Sequence, residues 1–159
     1  MAQPEQIENS LPAEIACLMV PVSERTLLVP STSVAEIVPF TAVSRVSDSP
    51  DWLLGNFHWR ELQVPLMSFE QLNGEGRPDL HSRCRVAVLN NTGQSDSLPF
   101  IAVMTQGIPR LARVTEEELQ QLDLNIDKKP FELMHVSLAG EKAVVPDIEG
   151  MEKAYLDLI

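Results

Sequence analysis

Hydrophobic and polar positions alternate with a period of two through most of the chain, and the stretch from residue 53 to 69 shows the pattern best. It reads Leu-Leu-Gly-Asn-Phe-His-Trp-Arg-Glu-Leu-Gln-Val-Pro-Leu-Met-Ser-Phe. Asn56-Phe57-His58-Trp59 alternates polar and apolar, as a half-buried strand does, with His58 facing outward. Leu62, Val64 and Leu66 repeat the period after Arg60-Glu61. The stretch therefore predicts two short strands meeting at a tight corner. Upstream, Ser49-Pro50-Asp51 predicts a short helix: a Ser cap, Pro at the first position and an acid in the first turn. Gly55 is expected to end that helix and let the backbone change direction.

The same period recurs elsewhere. Residues 14–22 and 25–29 predict a strand pair joined by a tight connection at Ser23-Glu24. Residues 34–40 resume after Pro30-Ser31-Thr32-Ser33, with Val34, Glu36 and Val38 on one side of the pleat. Further strands are predicted over 83–90, with Cys84, Val86 and Val88 opposed to Ala87 and Leu89, and over 98–105, 111–114, 131–138 and 142–145. Helical signals are brief. Ser68 to Leu72 predicts one turn closed by Asn73-Gly74. Thr115-x-x-Glu118 is a capping box predicting a short helix through Leu122. Residues 147–158 predict a closing amphipathic helix with Ile148, Met151, Tyr155 and Leu158 at helical spacing. About ten short strands with brief helices imply a mainly β fold. The two halves follow a similar order, which predicts two five-stranded barrels, roughly residues 14–75 and 76–159. Five short strands bury little surface, so the barrels are expected to share one hydrophobic core. Residues 1–13, polar and aperiodic, are expected to form a flexible arm.

Composition narrows the function. The 159 residues fit a single domain. A net charge of −11 opposes nucleic-acid binding and attachment to anionic lipid, both of which need a basic surface. Cys17 and Cys84 lie in apolar strand-like runs and are read as free thiols in a reducing compartment. The N-terminus shows no basic n-region or apolar h-region, and no run is long enough to span a bilayer. A cytoplasmic protein with no membrane insertion is the expectation.

Candidate chemistry is sparse. His58, His81 and His135 have no ligand spacing with each other or with the cysteines, so no metal is expected. There is no GxSxG elbow, GxGxxG or GxxxxGK[ST] loop. Gly74-Glu75-Gly76 carries a carboxylate that would repel phosphate. Glu116-Glu117-Glu118 suits a helix start, and Asp123, Asp127 and Asp147 follow no EF-hand order. The reading is a non-enzyme without cofactors. Trp52, Phe57, Trp59 and Phe69 gather near the central stretch, either all as core or with one or two in an exposed patch. Arg60 beside Trp59 needs an acceptor. Glu36, on a face with valines, is the expected partner, and Glu61 is the nearer competitor. A buried Glu36–Arg60 pair would cost about 3 kcal/mol to break; a solvated one is worth at most about 1 kcal/mol.

These residues carry a resemblance. Val34-Ala35-Glu36-Ile37-Val38, then Ser49 to Gly55, then Asn56 to Phe69, is similar to the signature of the CheW-like family of chemosensory coupling proteins. That signature has a V-x-E-I/V segment, a Pro-containing loop and G-x-x-N-L-R-G-x-x-x-P-V-x-D-L. The spacing from Glu36 to Arg60 matches, and the later strands fit in order over residues 14–158. Glu61 stands where the family has glycine, Trp59 precedes the arginine in place of leucine, and Ser68 replaces an aspartate. Thr105 or Gln106 stands where an aspartate often ends a later strand. The resemblance implies two SH3-like barrels around a joint core. It implies a non-catalytic adaptor between a chemoreceptor's helical hairpin tip and the regulatory domain of a CheA-type histidine kinase. The departures suggest an accessory member, as in a cluster controlling type IV pili and twitching motility, or a scaffold that has lost kinase binding and serves another partner. Kinase contact is expected at Phe40, Thr41, Val43, Pro50, Leu53 and Asn56, and receptor contact at Leu28, Val34, Val103 and Val114.

Overall fold

The computed structural model describes residues 14–122 and 127–159. The expected arm at 1–13 and Asp123 lie outside the described residues. Among the described residues twelve strands form in this order: β1 (Glu14–Val22), β2 (Arg25–Pro30), β3 (Val34–Pro39), β4 (Val43–Ser44), β5 (Leu53–Trp59), β6 (Leu62–Met67), β7 (Arg85–Asn90), β8 (Phe100–Thr105), β9 (Arg110–Thr115), β10 (Leu119–Gln121), β11 (Glu132–Leu138) and β12 (Glu141–Pro146). Two helices accompany them, α1 (Phe69–Leu72) and α2 (Ile148–Leu156). The fold is mainly β, two small SH3-like barrels on a shared core. Relative to the ten strands read from periodicity, β4 and β10 are additions. Runs of two or three residues are too short to show a period.

The barrels do not follow the two halves of the chain. One sheet has the order β10-β11-β12-β2-β1-β9 and the other β3-β7-β8-β6-β5-β4. The first hairpin thus pairs with the C-terminal strands, while β7 and β8 complete the sheet begun by β3. The expected division near residue 75 misses this exchange, because strand order in the sequence does not reveal which strands pair.

Adjacent residues divide three apolar cores between them. Met19, Leu28, Val114, Val136 and Ala143 fill the interior of the first barrel. Phe57, Val64, Val86, Val88, Ala102 and Met104 fill the second. Their neighbours on the opposite faces, Val20, Leu27, Val29, Ala87, Leu89, Ile101, Val103 and Val144, meet in a joint core with Phe69 and Met151. Strands apolar on both faces, such as β7 and β8, are what this geometry requires. The opposed sets Val86/Val88 and Ala87/Leu89 expected from the sequence are the two faces of β7. Trp59 packs edge-on against Phe100 at 4.8 Å between ring centres.

Two predicted helices do not form. At 49–54, Ser49 donates its hydroxyl to the Val46 carbonyl at 2.7 Å instead of capping, and a turn with Leu53 N–H on the Pro50 carbonyl leads directly into β5. Gly55 lies inside β5, not at a helix end. Its φ is +144°, and a Cβ there would stand 2.6 Å from the Ser44 carbonyl oxygen. Close strand approach, not a helical stop, requires this glycine. At 115–118 only half of the capping box forms, with Thr115 N–H donating to Glu118 Oε1 at 3.4 Å, while Glu118 N–H goes to the Thr115 carbonyl and the turn closes into β10. β10 pairs with β11, so sheet hydrogen bonds replace the helical ladder. By contrast α1 is capped by Ser68, which accepts from Gln71 N–H at 3.2 Å. α2 is capped by Asp147, which accepts from Gly150 N–H at 2.9 Å. Met151 anchors α2 in the core, while Leu158, expected on its apolar face, lies past the helix and is exposed.

Candidate functional site: the Glu36–Arg60 corner and the second-barrel surface

Arg60 and Glu61 form the two-residue turn between β5 and β6, with Trp59 and Leu62 paired across it. Their φ angles are +48° and +65°. Positive φ at both central residues matches the strand twist of a tight hairpin, but it is a glycine-type conformation that Arg and Glu hold under strain. The turn throws the guanidinium back over the Trp59 ring, 5.0 Å from its centre. There Nη2 stands 3.2 Å from Glu36 Oε1. The same carboxylate oxygen accepts from Trp59 Nε1 at 2.8 Å. Glu36 reaches this point because the β3–β7 register shifts between Val34 and Glu36. The pair is solvated: side-chain exposure is 68% for Arg60 and 39% for Glu36. Glu36 is half-buried, as expected of it, while Arg60 reaches it from solvent, because β3 lies at a sheet edge.

The residues named for partner contact fall into two groups. Phe40, Thr41, Val43, Pro50 and Asn56 all reach solvent on or beside β3, β4 and β5, and Val43 pairs with Phe57 while Ser44 pairs with Asn56. Leu53 is an exception, buried at 6% exposure. The receptor set does not share a surface. Leu28 and Val114 point into the first barrel and Val103 into the joint core, all at 5% exposure or less. Val34 alone of these four is partly exposed, packed on the margin of the joint core. Alternation identified these positions as apolar, but it could not say which face of each strand turns inward.

A second charged cluster was not legible in the sequence. Arg25, at the start of β2, pairs through both terminal nitrogens with Glu75. Its Nη1 also lies 3.5 Å from Glu132 Oε2, with side-chain exposures of 14% and 3%. The guanidinium sits 5.1 Å from the centre of the Phe69 ring. Glu132 further accepts from Lys129 N–H at 2.9 Å and contacts His135 Nε2 at 2.9 Å. Burial alone would raise the Glu132 carboxyl, but the Lys129 N–H, His135 and Arg25 outweigh it and hold it below the ordinary value. Nearby, buried Glu70 accepts from Ser23 N–H at 2.8 Å and Asn73 accepts from Phe131 N–H at 2.7 Å. The α1 region is thus tied to both the first hairpin and β11. These partners lie so far apart in sequence that only the fold brings them together.

Among the described residues no group of three or more His, Cys, Asp or Glu could hold a metal ion, and no helix is long and apolar enough to cross a membrane. Cys17 and Cys84 are buried free thiols, and burial pushes the Cys17 thiol up.

The family profile described as CheW-like domain matches residues 16–154. Among solved structures, the chain is similar to the scaffolding protein TtCheW from Thermoanaerobacter tengcongensis, with a TM-score of 0.71, 12% identity and 86% of each chain covered. At that identity the likeness concerns the fold. A comparison with curated protein sequences finds no match.

Proposed function

The chain belongs to the CheW-like domain family, and on that premise we propose that it is a non-catalytic adaptor coupling a chemoreceptor to a CheA-type histidine kinase. The observation that carries this reading is the family match over residues 16–154, joined to a rigid β scaffold with a solvent-reaching strip at Phe40, Thr41, Val43, Pro50 and Asn56. We assign that strip to the kinase's regulatory domain and the margin of the joint core near Val34 to the receptor's hairpin tip. Rigid sheets suit this role, because transient signalling contacts are small and depend on surfaces that need no ordering on binding. The Glu36–Arg60 pair would fix the turn beside the kinase strip. The protein would work in the cytoplasm at membrane-anchored receptor arrays. The test is co-sedimentation of the kinase with receptor-bearing vesicles. Sedimentation should depend on this chain, and equal sedimentation in its absence would end the adaptor reading.

A second reading has its own support. Glu61 holds a glycine-type φ of +65° where the family motif has glycine, and Ser68 replaces the motif's aspartate. A scaffold that has lost kinase binding and serves another partner would tolerate such changes, as would an accessory adaptor of a type IV pilus cluster. Titration calorimetry with the kinase's regulatory domain separates the readings: no heat at tens of micromolar favours the scaffold.

A further inference from the structure

Residues 40–45 and the 77–80 segment face each other across a narrow crevice of about 50 Å³. Leu54 and Met104 line it from β5 and β8, and Phe40, Val43 and Leu80 from either side. Leu80 is 51% exposed although it is a large aliphatic residue. Two arginines, Arg45 and Arg77, line the same crevice and are exposed. Together with Leu54 they also border a polar hollow of about 420 Å³ that Asp51, Gln71 and Glu75 line. The arginines thus stand between an apolar slot and a polar basin. Glu75 is already engaged by Arg25. No ion pair among the described residues involves Arg45 or Arg77. In a chain of net charge −11 with 12 Lys and Arg, this places two guanidiniums outside any ion pair beside one apolar slot, with the exposed Asp79 on the same 77–80 segment. At physiological salt fields are screened beyond about 8 Å, so local charge, not net charge, governs what docks there.

We propose that this crevice receives a partner segment carrying one aliphatic side chain beside a carboxylate. The side chain enters between Phe40, Val43 and Leu80, and the carboxylate meets Arg45 and Arg77. The slot is narrow and walled largely by apolar side chains, which suits the tip of a single Leu, Ile or Val. Asp51 lines only the hollow, so the carboxylate is favoured on the crevice side. The inference rests on the coupling reading, because Phe40 and Val43 belong to the strip assigned to the kinase; the occupant is therefore a segment of the kinase's regulatory domain.

The test is calorimetric titration of that regulatory domain into the full chain at low and high salt, with R45Q/R77Q and L80S variants. Thermal melts would establish that each variant is folded, which surface positions favour. The wild type should bind more weakly as salt rises. R45Q/R77Q should bind about tenfold more weakly at low salt and lose most of the salt dependence. L80S should weaken binding while keeping the salt dependence. A carboxylate-to-lysine change in the kinase segment should be rescued by R45E/R77E. If the wild type binds and R45Q/R77Q binds equally well with the same salt dependence, the crevice proposal is overturned and the coupling reading stands. If the wild type does not bind at all, both fall.

Discussion

Arg25 and Arg60 are a natural pair of opposites. Each sits at a hairpin, lies over an aromatic ring at about the same distance, 5.1 and 5.0 Å, and faces glutamate. Their surroundings differ. Arg25 has a side-chain exposure of 14% and meets Glu75 and Glu132, while Arg60 at 68% meets Glu36 alone. The same chemistry is therefore structural in one place and superficial in the other. Burial makes a charge pair costly to break, because the abandoned partner cannot be rescued by water. A solvated pair loses little when one member is removed.

The comparison is most exposed to Arg25→Ala. That change strands the Glu132 carboxylate, 3% exposed, and should lower stability by about 3–5 kcal/mol in urea unfolding. A loss below about 1 kcal/mol would place Arg25 in the same class as Arg60. Next, Gly55→Ala should cost on the order of 2–3 kcal/mol, since its Cβ would meet the Ser44 carbonyl oxygen at 2.6 Å with φ at +144°. Such a cost would show that backbone fit between β4 and β5 outweighs the exposed ion pair at the other end of β5. A third measurement uses pH. The Glu132 carboxyl is depressed in the folded state. Its contribution is thus fully present above the ordinary carboxylate range and is lost as pH falls through the lower folded value. The wild type should lose stability on acidification more steeply than Glu132→Gln, and parallel curves would contradict the network. Relieving the left-handed turn with Glu61→Gly should stabilise by about 1 kcal/mol in thermal melts. Smallest of all, Arg60→Ala should cost at most about 1 kcal/mol.

Period-two alternation carried the fold well in the strands with one clear face. β5 is the best case, with Phe57 and Trp59 buried and His58 exposed. It also identified the apolar faces of β7. It could not assign barrels, because pairing between β2 and β12 or β1 and β9 leaves no local trace. Nor could it separate surface from interior among Leu28, Val103 and Val114: the strands of Leu28 and Val103 carry buried residues on successive positions, while β9 exposes Leu111 and Arg113 and turns Val114 inward. Local helix signals at Ser49 and Thr115 were overridden by sheet pairing a few residues on. At the candidate site, Glu36 and Arg60 were visible because one motif contains both. Arg25, Glu75 and Glu132 were not, because each looks like an ordinary surface charge until the chain closes.

The exchange of strands between barrels also sets the order of assembly. The β1–β2 hairpin can form early, but its flanking partners are β9 and β12. During synthesis it must wait with both edges open until residues Arg110–Thr115 and Glu141–Pro146 have left the ribosome. Meanwhile β3 to β8 are contiguous and can close first. The molecule should therefore fold from its middle outward, the second barrel providing the apolar face on which the first is completed. A nascent chain truncated before residue 110 would then expose an unpaired hairpin, the kind of edge that recruits chaperones or neighbouring chains.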